Sequence, residues 1–334
     1  MNRNLVLYSY CILVSGLKRC AIYDLRRGKI LFAPNSFFSL FESNIFPYSK
    51  LVEQYSMEDD RVIIDEYREF ILNNYLGFET DNPDSFPPLN IKYEDTDVIK
   101  RAHIETYLND VEKAIYLFNK LSDLGLRSLD LVVLDNQFIS QKLIQFLEKF
   151  RFRKLRRLSL IILGTFDSSN IELFSKIKSR LGFVEDIIVL NQQTPKLFEG
   201  SNIYFLDQSY NTFKKLQLPN SNFQKLIVNM DFFMESHFYN PFYNKSVAFD
   251  KDGNIYNDIC HSETYGNVFI NSLKEILNTS NLTQLWAINN TMIEGLKESE
   301  IRYALLNIQI PIKISTGKYK LSYLPYDAEK TCWI

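Results

Sequence analysis

Three stretches of one shape recur 29 residues apart, and nothing else in the chain restricts its fold as tightly. Leu126, Leu129 and Leu131, then Leu155, Leu158 and Leu160, then Val184, Ile187 and Val189 each form an apolar run of strand length. Helical stretches follow the first two, Gln141 to Lys149 and Asn170 to Leu181. A strand that is followed by a helix and then by another strand makes parallel pairs, because antiparallel pairs need only a tight turn. Two architectures share the pattern, a partial β/α barrel and a leucine-rich repeat horseshoe. The horseshoe needs Asn or Cys three residues beyond the last leucine of each run, and this chain has Leu134, Leu163 and Gln192 there. The pattern therefore predicts an α/β fold with a partial parallel barrel. A strand over Val98 to Tyr107 and a helix over Asp110 to Leu124 precede the repeat, which opens with a strand over Leu129 to Leu134 and a helix over Ser140 to Phe150.

The first eighty residues read as a separate α+β module. Two apolar runs, Leu5 to Val14 and Cys20 to Leu25, are joined by Ser15, Gly16, Leu17 and Lys18, and a third, Lys29 to Ala33, follows Gly28. These predict a three-stranded antiparallel meander. Asn35 and Ser36 then suit the cap of a helix through Phe37, Phe38, Leu40 and Phe41. A short helix over Ser49 to Tyr55 follows. A third, over Arg61 to Asn74, is preceded by Glu58, Asp59 and Asp60 at the positive end of its dipole. Pro83, Pro87 and Pro88 mark residues 81–94 as a linker.

Composition removes several classes of function. With 38 basic and 40 acidic residues the chain has no electrostatic footprint for DNA or RNA. The run from Leu5 is too short to span a bilayer and has no cleavage site, so the reading is a cytoplasmic protein with no membrane partner. The cysteines, at 11, 20, 260 and 332, have none of the spacings of metal sites or disulfide frameworks. His103, His237 and His261 match no zinc pattern. Neither G-x-x-x-x-G-K nor G-x-G-x-x-G occurs. Cys260 and His261 are adjacent and point apart in an extended chain, which argues against a nucleophile pair. No catalytic residue, metal ligand or cofactor is expected.

The order of three strands and three helices, with Asp24 to Ser36 at its centre, resembles the winged-helix-like, PqqD-like RiPP recognition element. The resemblance implies that a leader peptide adds as a strand to the third strand, against the third helix. Lys29, Ile30, Leu31, Phe32, Ile64 and Arg68 would then contact it. Strand addition yields about 1 kcal/mol net per backbone hydrogen bond, while ordering the peptide costs about 1 to 2 kcal/mol per residue, so side-chain pockets must supply the surplus. The alternative is an edge capped by the protein's own chain.

The C-terminal part resembles the SPASM region of the grasp-with-spasm peptide maturases, in which a C-K-x-C-E-x-R-Y-x-C run follows L-W-x-I. Leu285, Trp286 and Ile288 keep the second motif, and Lys297, Glu300, Arg302 and Tyr303 keep the frame of the first. Leu296, Ser299 and Leu305 stand at its cysteines, and Phe242 and Asp258 at two more. Phe238 to Asn257, with a turn at Asp252 and Gly253, is similar to the family's first hairpin. Tyr323, Leu324, Pro325 and Tyr326 are similar to its Y-N-P-Y. The middle is similar to a radical-SAM barrel without the C-x3-C-x2-C loop. Its G-G-E-P stretch would fall at Leu134, Asp135, Asn136 and Gln137, and is not kept. Only two thiols remain in the last third, whereas an iron–sulfur cluster takes four ligands.

These resemblances imply a recognition element over 1–80, a degenerate radical-SAM-like barrel over 95–236 and a degenerate SPASM region over 237–334. The implied function is a non-catalytic scaffold in ribosomal peptide maturation that binds the precursor leader and presents it to an ATP-grasp ligase. Two other readings stay open: an iron–sulfur peptide-modifying enzyme of radical-SAM type, and a leucine-rich-repeat interaction module.

Overall fold

The computed structural model describes residues 4–135, 140–149, 155–164, 170–192, 195–198, 201–217, 226–278 and 281–334. Asn136, Gln137 and Phe150, which the expectations above include, lie outside them. The N-terminal elements are β1 (Asn4–Leu7), β2 (Cys11–Ser15), β3 (Arg19–Asp24), β4 (Lys29–Pro34), α1 (Asn35–Ser39), β5 (Ile45–Phe46), α2 (Tyr48–Gln54), α3 (Glu58–Asn73) and β6 (Gly77–Thr80). The middle of the chain supplies β7 (Arg101–Thr106), α4 (Val111–Asp123), β8 (Ser128–Val133), α5 (Ser140–Glu148), β9 (Arg157–Leu163), α6 (Asn170–Arg180), β10 (Val184–Leu190), β11 (Lys196–Phe198), β12 (Ile203–Phe205) and α7 (Tyr210–Gln217). Then come α8 (Met230–Phe238), β13 (Ser246–Phe249), β14 (Ile255–Tyr256), α9 (Leu273–Asn278), β15 (Ile312–Ser315) and β16 (Lys318–Lys320). The chain forms two compact units. One comprises Met1–Tyr93, Asn222–Pro241 and Ala287–Ile334, the other Glu94–Ser221 and Phe242–Trp286. Residues expected in one C-terminal domain are thus divided between the two.

In the first unit the meander is β2-β3-β4, antiparallel throughout. The first apolar run does not extend through it unbroken as expected. The run turns at Tyr8 to Tyr10, where Cys11 N–H donates to the Tyr8 carbonyl at 2.7 Å, and β1 instead pairs with β5 and β6 in a second small sheet. Asn35 does not cap α1 either, since its amide donates to the Gly16 carbonyl at 3.0 Å and Pro34 takes the cap position.

Both faces of the meander are buried within this unit. One face packs Cys20, Ile22 and Ala33 against Phe37, Leu51, Ile64 and Ile71 of the helices. The other packs Val14, Ala21 and Tyr23 against Phe233 of α8 and Ala304 near the C-terminus. A buried carboxylate fixes the second contact. Glu300 is fully buried and accepts from Arg19 Nε at 2.7 Å and from the Tyr326 hydroxyl at 2.6 Å, while the Tyr23 hydroxyl donates to the Glu300 carbonyl at 3.0 Å. Burial, then the Glu300 hydrogen bond, push the Tyr326 phenol up to about 12.

The second unit is built on a sheet in the order β11-β12-β10-β9-β8-β7-β13-β14, parallel from β12 to β13 and closed at each end by an antiparallel strand. Strands β8, β9 and β10 lie side by side in chain order, as the repeat requires, and β7 precedes them. Among the described residues the sheet has two free ends and does not close into a barrel. One face carries Ile104, Leu131, Leu160 and Ile187 under α4, α5 and α6, with Phe118, Phe146 and Phe174 filling the layer. These helices share one face, as crossovers of one hand between parallel strands in chain order require.

Removing one partner of a buried ion pair costs about 3 to 5 kcal/mol, and rather less where one partner is part-exposed, as Arg19 is here. Arg19→Met should therefore lower the unfolding free energy by about 2 to 3 kcal/mol in urea titration. Adding Glu300→Leu should restore most of it, because the stranded carboxylate is then gone. Equal losses in the single and double variants would contradict this role.

Candidate peptide-binding edge and a polar sheet face

The main-chain alternation of β4 follows from one hydrogen bond. Leu25 N–H donates to the Tyr10 carbonyl at 3.0 Å, just beyond the Cys11 and Asp24 pair, so that pair is a non-hydrogen-bonded one. The Asp24 backbone therefore turns towards β4, where Gly28 N–H, at a φ of 67°, donates to the Asp24 carbonyl at 2.9 Å. Cys20 and Ile22 turn the same way, opposite Ala33 and Leu31. By alternation the N–H and C=O groups of Ile30 and Phe32 point away from the sheet. Among the described residues β4 pairs with β3 alone, and no other segment hydrogen-bonds to those two residues.

The six residues expected to contact a leader are placed differently from one another. Lys29 and Phe32 are exposed, and the Arg19 guanidinium lies 3.6 Å from the centre of the Phe32 ring. Leu31 and Ile30 are half-buried, the first on the helix side of the sheet and the second on the Tyr23 side. Ile64 is buried in the core beneath α3. Arg68 pairs with Glu79 of β6 and lies over the Tyr48 ring. From α3 it is Tyr67 that reaches towards the start of α1, its hydroxyl 2.9 Å from Ser36 Oγ.

Of the five positions that replace cysteines, Phe242 and Asp258 are half-buried in the second unit, whereas Leu296, Ser299 and Leu305 are buried in the first. Asn290 closes this segment, its amide donating to the Arg302 and Leu305 carbonyls at 2.8 and 2.9 Å. In the second unit Cys260 donates to the Lys214 carbonyl at 3.3 Å, and burial, then Asp258, push its thiol up to about 12. His261 instead lies 3.3 Å from the Tyr243 hydroxyl, and burial lowers its pKa. The two side chains turn to different partners. Among the described residues no group of three or more His, Cys, Asp and Glu could hold a metal ion, and no helix is long and apolar enough to cross a membrane.

Sequence reasoning missed a polar row on the sheet face opposite the helices of the second unit. His103, Asp130, Ser159 and Asp186 are register partners on β7, β8, β9 and β10. Asp130 and Ser159 occupy the same slot between two leucines of their repeats, which was the available signal. Asp186 joins the row through a bulge after Val184. Beside the row, the Tyr210 hydroxyl donates to Glu105 at 2.7 Å and accepts from His103 Nε2 at 3.1 Å, with Lys214 3.4 Å from the same carboxylate. Burial raises the Asp130 carboxyl, opposed by His103 and Arg157.

No family model matches the sequence, and no curated protein matches it. Among solved structures, Streptococcus suis SuiB bound to S-adenosylmethionine is similar at a TM-score of 0.35 and 9% identity, over 90% of this chain and 94% of that one. A second SuiB structure gives 0.28 and 9%, over 83% and 89%. Likeness at these scores establishes neither fold nor function.

Burial first, then Glu105, raise the Tyr210 phenol well above its ordinary value. The unfolded chain therefore loses this proton first, so the stabilisation is complete below about pH 10 and declines as pH rises beyond it. Tyr210→Phe should cost about 1 to 3 kcal/mol at pH 7 by removing the hydroxyl that joins His103 to Glu105, yet decline less steeply above pH 10 than the wild type. Urea titrations at pH 7 and pH 10.5 compare the two, and parallel declines would contradict the assignment.

Proposed function

We propose that this chain is a non-catalytic scaffold of ribosomal peptide maturation, which holds a precursor leader along β4 and presents it to an ATP-grasp ligase in the cytoplasm. In this reading residues 1–80 are a PqqD-like recognition element, and the last third is a SPASM region that has lost its cluster ligands. The observation that carries it is the outward-facing backbone of Ile30 and Phe32, on a sheet whose two faces are already buried. With its faces occupied, the meander offers a partner its edge, and an extended peptide satisfies an edge most completely. Lys29, Leu31 and the Phe32 ring under Arg19 would give the side-chain selectivity that backbone pairing lacks. Leu296, Ser299 and Leu305, buried where the resemblance expects cysteines, and a Cys260 thiol held protonated support binding rather than redox chemistry.

Register decides which proline tests the edge. Phe32→Pro removes an outward donor and leaves the β3 pairing, so affinity for a fluorescent leader from a neighbouring precursor gene should fall about tenfold, with thermal stability close to wild type. Leu31→Pro removes an inward donor and should destabilise the meander itself. Unchanged leader titration by folded Phe32→Pro would contradict the proposal.

A further inference from the structure

The hairpin of β15 and β16 stands out in the first unit for having almost no cover. Every residue from Ile312 to Lys318 is exposed, and Ile310, Ile312 and Ile314 are each about half accessible, at 51, 45 and 47%. Its register sets Ile312 opposite Lys320 and Lys313 opposite Tyr319. One edge is anchored, since Glu294 N–H donates to the Tyr319 carbonyl at 2.8 Å beside β16. Along the other edge, β15 pairs with β16 alone among the described residues. Isolated hairpins are marginal in water, and apolar edge strands are sites of association.

Charge narrows what can cover it. Between Arg302 and Asp327 the sequence contains Lys313, Lys318 and Lys320 and not one Asp or Glu. No ion pair engages these lysines among the described residues. A second copy pairing through the same edge would bring lysine towards lysine, which is destabilising. A lipid surface would attract the lysines but offers no row of backbone groups spaced to match β15. Lys313 lies on the face opposite Ile312, so a strand that alternates acidic and apolar residues sets its acids beside Lys313 and its apolar side chains beside Ile312, while it pairs with the backbone.

We propose that β15 is a docking edge for a partner protein, which adds a strand with acidic and apolar side chains in alternation. The lysines and the bulge between Lys313 and Ser315 exclude indiscriminate pairing, and Ile312 with Ile310 supplies the apolar contact. This edge is distinct from β4 and does not depend on leader capture.

The test uses the full chain and three synthetic hexapeptides, alternating Glu-Val, Ser-Val and Lys-Val, titrated at 50 mM salt. Glu-Val should bind about tenfold tighter than Ser-Val, Lys-Val should not bind, and 0.5 M salt should remove the difference. Lys313→Glu with Lys318→Glu and Lys320→Glu should reverse the order of Glu-Val and Lys-Val, and Ile312→Asp should weaken every peptide. These positions are exposed, so circular dichroism should be unchanged. Equal affinity for all three peptides, concentration-dependent dimers that Ile312→Asp dissolves, or binding to phosphatidylglycerol vesicles without peptide selectivity would each overturn the proposal.

Discussion

The fully buried Glu300 carboxylate is the constraint on which the first unit depends. A carboxylate removed from water is tolerated only with close compensation, and Arg19 and the Tyr326 hydroxyl provide it within 2.7 Å. Arg19 belongs to the second strand of the meander and Glu300 to the C-terminal segment, 281 residues away in sequence. The pair therefore specifies which segment covers the Tyr23 face of the meander. Among the described residues its second oxygen has no hydrogen-bond partner, so the loss of either remaining contact would be costly.

That cover has a consequence for recognition. A three-stranded sheet with one bare face could bind a partner by that face, but here both faces are occupied by apolar side chains of the same unit. In the reading proposed above, binding is left to main-chain groups at the edge, and Arg19 links the two features directly. It pairs with Glu300 beneath and stacks on Phe32 beside the outward-facing backbone of β4. The residue that secures the fold thus also orders the edge that we assign to the leader.

How much of this could be read from the chain depended on whether the signal was periodic or long-range. The 29-residue repeat was enough for parallel strands from β8 to β10 in chain order, because each apolar run buries the same face under the helices. The three helices of the N-terminal module were legible for the same reason, to within three residues at their starts. The first apolar run was misread because no Gly, Pro, Asn or Asp marks the turn at Tyr8 to Tyr10. Glu300 carried a motif resemblance but no hint of Arg19, since an ion pair across most of the chain leaves no local pattern. Asp130 and Ser159 sat at equivalent slots in plain view, yet a polar residue between leucines is also what a solvent-facing strand position has. The edge residues divided likewise: β4 was placed by its turn, whereas the pairing of Arg68 with Glu79 could not be foreseen.

Amide hydrogen exchange along β4 tests the account most directly, by comparing the free chain with the chain saturated by a candidate precursor. The account predicts fast exchange at Ile30 and Phe32 in the free protein, slow exchange at Leu31, and marked slowing at the first two alone when peptide is added. Slow exchange at Ile30 and Phe32 without peptide, or no change when a bound precursor is present, would contradict an edge that is open and used for capture.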